Sequence, residues 1–413
     1  MIFVNPLNTR TSQVSALYPF YAAYSLPFAR TALENVAVDQ DSIIVDPWNG
    51  SGTTTLAASS VGLRSIGLDL NPVAVVLARA RLAHRNGVQQ LYKKVSPQLN
   101  APHRRVIPNV GDDDPLHSWF DTSTTRMIRE IETILTGEKP NGNTDRVVTL
   151  SVAACVGYII LFRSVRRLVA RYYSTNPTWI KVPKKDEEKI ICHRNRFLDL
   201  LLSEIEEVRN RLPVCSSTSC LPDIRVASSQ AMPLGNASVN HVLTSPPYCT
   251  RIDYAVATKL ELSVLGLRQD AFASLRRSLI GSTLVEREPP AFEPKWGSTC
   301  RSLLKRIRSH KSKASSTYYY RGYLKYFSSL MVSLSEIARI LKRDGSAIIV
   351  VRDSYYKDVR IDLARIINEM GQSCGLETIE MNVFDQRSYG AINTRSHRRR
   401  AKAAETVLVM NRS

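Results

Sequence analysis

The sequence predicts an α/β fold with a parallel sheet, interrupted by a largely helical insert and by a second, basic insert. Three observations predict it. Short apolar runs alternate with helical patterns at both ends of the chain. Glycine- and proline-rich loops follow two of those runs directly. In two stretches, roughly 85–220 and 268–320, the alternation stops.

In chain order, Ile43-Ile44-Val45 predicts the first strand and Ser65-Ile66-Gly67-Leu68 the second, with a helix over Thr54 to Val61 between them. The Ala- and Val-rich run Pro72 to Leu82 is the next helix. Within 85–220, helical periodicity marks Met127 to Leu135, the region 147–172 and Phe197 to Arg211. The apolar run Val147 to Phe162 falls short of the ~20 residues that cross a bilayer, so it is read as a buried helix. Strands resume at Ile224-Arg225-Val226 and His241-Val242-Leu243-Thr244. After the second interruption, Leu324, Phe327, Leu330, Leu334, Ile337 and Leu341 share one helical face. That helix is expected to stop at Asp344-Gly345, with Gly345 as a left-handed cap. Ala347 to Val351 is a strand and Asp362 to Met370 a helix. Thr378 to Phe384 and Thr406 to Met410 are the final strands.

The 413 residues carry a formal net charge of +19, which favours a polyanionic partner. Nucleic acid is the first candidate, an anionic membrane surface the second, and a basic but non-binding surface the bland alternative. Seven cysteines, at 155, 192, 215, 220, 249, 300 and 374, form no CxxC or Cys/His quartet. This argues for a reduced compartment and against a structural metal. No secretory signal or membrane span is expected.

Asp46-Pro47-Trp48-Asn49-Gly50-Ser51-Gly52-Thr53-Thr54 lies after a strand and before a helix, where open α/β sheets bind ligands. Asp69 ends the next strand, 17 residues past Gly52, where an acid can bind both ribose hydroxyls of a nucleoside cofactor. A glycine turn of this kind is also compatible with a plain structural turn or a dinucleotide. The GxGxxG form and the phosphate loop are both absent, and the acidic start suits a cofactor with a cationic amino-acid end. S-adenosylmethionine has one, an α-ammonium within the scope of Asp46.

Ser245-Pro246-Pro247-Tyr248 follows the strand ending at Thr244. Two prolines fix the backbone and remove two N–H donors, so the loop presents oxygen acceptors beside an aromatic ring. That suits an extruded base stacked on Tyr248, its amino group donating to Ser245 and to the Pro246 carbonyl. It also suits a rigid turn with an aromatic lid. Cys249 is read as a packing residue, since no Pro-Cys nucleophile loop occurs.

Together the two motifs resemble those of the DNA amino-methyltransferase family, the cytosine-N4 and adenine-N6 enzymes. Residues 46–54 match its Asp-Pro-Phe-x-Gly-Ser-Gly-Thr-Thr cofactor motif with Trp48 for Phe, and Ser245–Tyr248 match its (Asp/Asn/Ser)-Pro-Pro-aromatic tetrad. Gly67 to Pro72 resembles the ribose motif, and Tyr18-Pro19-Phe20 the segment ahead of the cofactor loop. Ile252-Asp253-Tyr254 and Lys259-Leu260-Glu261-Leu262 resemble the continuation of a Thr-Ser-Pro-Pro-Tyr subgroup, as Ser174 to Trp179 does more briefly.

The resemblance implies a Rossmann-like class I S-adenosylmethionine-dependent methyltransferase sheet. It implies cofactor contacts from Asp46, Pro47, Asn49, Gly50, Ser51, Gly52, Thr53, Thr54, Asp69, Leu70, Asn71 and Tyr18. Catalysis would fall to Ser245, Pro246, Pro247 and Tyr248. A Ser at the first tetrad position is typical of cytosine-N4 enzymes. The acid usual after the third strand is missing, with Ala227 to Gln230 in its place. The alternatives are an adenine-N6 enzyme, an RNA amino-methyltransferase, and an inactive nucleic-acid-binding protein.

On this reading the chain divides into a cofactor half of the core (1–84) and a helical insert that is a candidate target-recognition region (85–220). The catalytic part of the core (221–267), a basic insert (268–320) and the end of the core (321–413) follow. Between Arg268 and Lys325, thirteen Lys/Arg face four Asp/Glu, interleaved with Trp296, Tyr318, Tyr319, Tyr320 and Tyr323. Lys305, Arg306, Arg308, Lys311 and Lys313, with the loop residues Arg398, Arg399 and Arg400, are the expected DNA contacts. The expected partners are duplex DNA with a flipped base and a companion restriction endonuclease. The expected location is cytoplasmic, at the nucleoid if the source is bacterial.

Overall fold

Helix α1 (Leu26–Val36) precedes β1 (Ile43–Asp46), α2 (Thr53–Ser60), β2 (Arg64–Asp69) and α3 (Pro72–Ala80) in a computed structural model of the chain. The structure describes residues 3–6, 17–19, 24–36, 39, 41–99, 110–138, 144–173, 179–214, 220–249, 252–285, 287–386 and 403–413. The chain then leaves the sheet for α4 (Arg85–Leu99), α5 (Thr122–Thr136), α6 (Val152–Leu168) and α7 (Arg194–Arg211). It returns as β3 (Asp223–Val226) and β4 (Val239–Thr244). Short helices α8 (Tyr254–Ala257) and α9 (Lys259–Val264) lead to α10 (Gln269–Ser278), α11 (Gly297–Arg308) and α12 (Tyr320–Ile340). The chain closes with β5 (Leu341–Arg352), the hairpin β6 (Ser354–Tyr356) and β7 (Val359–Ile361), α13 (Leu363–Gln372), β8 (Leu376–Gln386) and β9 (Ala403–Arg412).

The main sheet has the order β3-β2-β1-β4-β5-β9-β8. Strands β1 to β5 pair in parallel, while β9 is antiparallel to both β5 and β8. The result is a doubly wound, Rossmann-like sheet with one reversed strand, β9. The strand order reverses between β1 and β4, so the crevice for a ligand lies above their carboxyl ends.

Alternation along β5 shows why both sheet faces are covered. Ala347, Ile349 and Val351 face a core with α11, α12 and α13, whereas Ile348 and Val350 face α1 and α2. Helices α4 to α7 share a third core with α3, α8 and α9. Within it, buried Arg129 on α5 pairs with Asp114 at 2.8 Å and Glu132 at 2.7 Å. Its guanidinium also donates to the Ser263 carbonyl at 2.9 Å, at the end of α9. The helical segment is thereby fastened to the part of the core that follows the Ser245–Tyr248 loop.

Local chemistry explains the boundaries. Asn71 caps α3, accepting from Val73 N at 3.1 Å, with Pro72 opening the helix. The run from Val147 is not one helix: Ser151 caps α6 by accepting from Ala154 N at 3.1 Å, and a 3-10 turn over Thr144–Val148 precedes it. The expected cap at Gly345 is also corrected. Helix α12 ends at Ile340, and Asp344 rather than Gly345 takes the left-handed conformation, with φ 63°. Gly345 serves close approach instead, since a Cβ there would sit 2.8 Å from Lys342 O and 2.9 Å from Asn240 O. The β6–β7 hairpin was not legible in the sequence. Among the described residues no helix is long and apolar enough to cross a membrane.

Candidate active site

The 46–54 loop turns out of β1 into α2 through Gly52, whose φ is 80°. A Cβ there would lie 2.7 Å from that of Ala78, so glycine is needed both for the turn and for the packing of α2 on α3. Beneath the loop, buried Arg81 donates to Ser51 O at 2.9 Å, Ser51 Oγ at 3.2 Å and Thr53 Oγ1 at 3.1 Å. Burial lowers its pKa to about 10, so the guanidinium remains charged while bracing the loop.

An open cleft lies above this loop. Pro47, Trp48, Gly50, Asp69, Leu70 and Asn71 form one side, and Ala227 to Gln230 a second. Ser245, Pro246, Pro247 and Tyr254 form the third, and Ser278, Leu279 and Ile280 close it. Asp69 Oδ2 accepts from Gly50 N at 2.9 Å and Oδ1 from Asn71 N at 2.8 Å. Each oxygen keeps a further lone pair for a ligand hydroxyl. Burial raises the Asp69 pKa to about 6, with those two amide bonds opposing the rise. This carboxylate fits a ribose diol.

Several expected contacts lie elsewhere. Asp46 is 3% exposed and does not line the cleft. Its Oδ1 accepts from Thr244 Oγ1 at 2.6 Å and Trp48 N at 3.0 Å. Its Oδ2 accepts from Thr54 Oγ1, and from Tyr24 OH at 3.4 Å. Thr244 Oγ1, Trp48 N and Thr54 Oγ1 engage both oxygens, and the buried carboxylate is turned away from the cleft where an ammonium would lie. Asp46 instead ties the 46–54 loop to Thr244, the residue before the tetrad. Burial raises its pKa to about 6.

Asn49 packs under the loop, accepting from Thr55 Oγ1 at 3.2 Å. Ser51, Gly52, Thr53 and Thr54 likewise support the turn from behind rather than facing the cleft. Tyr18 is also displaced from its expected role: it is buried in the core of the helical segment, donating to Glu261 with the Arg166 guanidinium 5.3 Å from its ring. Trp48, Tyr254, Ser228, Gln230 and the 278–280 segment were not expected as site residues from sequence. Among them Trp48 carried a signal as the aromatic of the loop motif, and Tyr254 only a family resemblance.

The tetrad separates two cavities. Ser245, Pro246 and Pro247 line the cleft, whereas Tyr248 lines a second cavity with Gly281, Ser282, Thr283, Val285, Tyr318, Tyr319, Tyr323 and Tyr326. Tyr326 OH donates to Pro247 O at 2.7 Å, pinning the loop from α12. Burial and the neighbouring Glu405 carboxylate raise the Tyr248 pKa, with the Ser245 hydroxyl opposing. Glu405 is itself raised to about 7 by burial, opposed by Arg352 and by its hydrogen bond to Tyr248. Cys249 is buried in the core, and burial raises its thiol pKa well above the usual value.

Lys305, Arg306 and Arg308 project from the outer face of α11, whose inner face buries Cys300, Leu303, Leu304 and Ile307. Lys311 and Lys313 are exposed just beyond. Trp296, expected among the DNA-facing aromatics, is instead fully buried, and Tyr323 is 5% exposed. Arg398, Arg399, Arg400, Phe20 and residues 174–178 lie outside the described residues.

No family model matches the chain. It is 21% identical over 289 residues to the type II methyltransferase M.BsoBI of Geobacillus stearothermophilus, covering 64% of this chain and 55% of that protein. It is 27% identical over 370 residues to the type II methyltransferase M.AvaI of Nostoc sp., covering 83% and 74%. It is 22% identical over 391 residues to the type II methyltransferase M.MvaI of Kocuria varians, covering 88% and 82%. The chain thus spans about half the length of the first of these and most of the other two. A solved structure of a SAM-dependent methyltransferase from Methanosarcina mazei is 9% identical with a TM-score of 0.33, covering 92% of this chain and 96% of that one.

Proposed function

We propose that this chain is an S-adenosylmethionine-dependent DNA methyltransferase that methylates the exocyclic N4 amino group of cytosine in a base turned out of the duplex. One observation carries the reading: the tetrad is the wall between a cleft ending on Asp69 and a tyrosine-lined cavity. Methyl donor and acceptor then approach the same four residues from opposite sides. Similarity to three proteins named type II methyltransferases supports the substrate class. Ser245 supports cytosine, as the first tetrad residue typical of N4 enzymes.

S-adenosylmethionine supplies an activated methyl group, and the protein does the positioning. Asp69 holds the ribose diol. Ser245 Oγ and the Pro246 carbonyl accept the two amino protons, which keeps the nitrogen closer to tetrahedral and aims its lone pair into the cleft. Tyr248 stacks on the base ring. Transfer would be a direct displacement with no covalent enzyme intermediate: the C–N bond would form as the methyl C–S bond breaks and the thioether S-adenosylhomocysteine leaves, and the amino proton would pass to solvent after the new bond forms.

The helical segment 85–220 is the target-recognition region, and the outer face of α11 meets phosphates. A companion restriction endonuclease is the partner suggested by the relatives' type II designation. The enzyme works where the DNA is, in the cytoplasm, at the nucleoid if the source is bacterial.

The test is methylation of duplex DNA followed by mass spectrometry of the digested nucleosides. N4-methylcytosine is the expected product. Tyr248→Ala should nearly abolish turnover with little change in cofactor affinity. N6-methyladenine would keep the mechanism and overturn the base. Cofactor binding without any methylated DNA or RNA base would leave a binding protein on this scaffold.

A further inference from the structure

The segment from Ser278 to Val285 belongs to both cavities. Ser278, Leu279 and Ile280 line the cleft, and Gly281, Ser282, Thr283 and Val285 line the tyrosine-lined cavity. No regular secondary structure carries it past the end of α10, so something else must fix its course. Three side chains do so. Asp253 is 4% exposed. Its Oδ2 accepts from Arg276 Nε at 2.7 Å, Thr283 Oγ1 at 2.9 Å and Thr283 N at 3.3 Å. Arg276 Nη2 in turn donates to Thr283 Oγ1 at 2.9 Å, closing the triangle. Asp253 Oδ1 accepts from Val256 N at 3.2 Å as the cap of α8, so the carboxylate is anchored beside Tyr254, itself a wall of the cleft. From the opposite side Tyr318 OH donates to Thr283 O at 2.9 Å.

We propose that Asp253 is a positioning residue: with Arg276 and Thr283 it clasps the 278–285 segment as a common wall of the two cavities and so couples cofactor binding to target-base binding. The proposal rests on the methyltransferase reading above. With the clasp closed, a ligand in the cleft seats Ser278 to Ile280 and thereby shapes the four residues that receive the base. With it open, the wall follows each ligand separately. The coupling is reciprocal, because one free energy links the two sites.

The experiment uses the full chain, with S-adenosylhomocysteine as the cofactor probe and the duplex DNA that the methylation assay shows to be modified. In the wild type, S-adenosylhomocysteine should tighten duplex binding about tenfold, within the usual range of such couplings. The duplex should tighten S-adenosylhomocysteine by the same factor. Thr283→Val keeps the side-chain shape and deletes the hydroxyl, and should bring both factors close to one. Thr283→Ser retains the hydroxyl and should restore them. A thermal melt confirms that both variants are folded. A folded Thr283→Val protein that retains the wild-type coupling overturns the clasp, as does a wild type with no coupling at all. Cofactor binding with no duplex binding defeats the methyltransferase reading itself, and the coupling falls with it.

Discussion

On the proposed ribose assignment, Asp69 should make cofactor affinity depend on pH in a direction opposite to that of stability. Its folded-state pKa of about 6 lies above the ordinary 3.8 because desolvation of the half-buried carboxylate disfavours its charge. A carboxyl raised in the folded state favours the fold most below the ordinary value, and that contribution is lost as pH rises through about 6. Acidification from pH 7 to 4 therefore stabilises the unliganded protein through this group. Cofactor binding runs the other way, since ribose hydroxyls donate to the ionised carboxylate. At pH 5 about one-tenth of Asp69 is ionised, so affinity should be about tenfold weaker than at pH 8.

Asp69→Asn removes two charge-assisted acceptors and sets an amide against Gly50 N or Asn71 N. A loss of about 3 kcal/mol, or about 100-fold in affinity, is expected. Titration calorimetry with S-adenosylmethionine at pH 5 to 8 measures both. The wild type should show the acid-side loss and Asp69→Asn should be flat. Asp46 also titrates near 6 but does not line the cleft, so it is common to both proteins and the difference isolates Asp69. Equal pH slopes in the two proteins, or wild-type affinity in a folded Asp69→Asn protein, would refute the ribose assignment.

Asp46→Ala should act on stability. Thr54 Oγ1 and Tyr24 OH retain Leu243 O at 3.2 and 3.3 Å, whereas Thr244 Oγ1 and Trp48 N lose their acceptor. Two orphaned buried donors cost about 3 kcal/mol together. Urea unfolding should show that loss, and a wild-type midpoint would contradict the brace. Replacing Lys305, Arg306 and Arg308 with Ser should reduce the slope of log affinity against log salt by about 0.9 for each phosphate no longer neutralised. An unchanged slope, read by fluorescence anisotropy, would mark that face of α11 as a solvated surface.

Much of the site was readable along the chain because its signals are local. A loop that must turn out of a strand needs glycine at residue 52, a rigid acceptor loop needs Pro246 and Pro247, and both lie beside short apolar runs that read as strands. The third dimension decided which way each polar group points. Asp46 looked like a ligand, yet Thr244 on β4 reaches it only once β1 and β4 pair. Trp296 sat among cations in a segment that reads as a surface, but the packing of α11 on α13 encloses it. Asp253 carried only a family resemblance, while Thr283 carried no local pattern; their bond exists because α10 folds back on α8. By itself the sequence determined the sheet and the two loops at its carboxyl edge. Only the tertiary structure decided that Tyr248 faces one cavity and Ser245 another, and that one segment walls both. Periodicity reports which face of an element is apolar, but a hydrogen bond between distant residues depends on where the chain brings them.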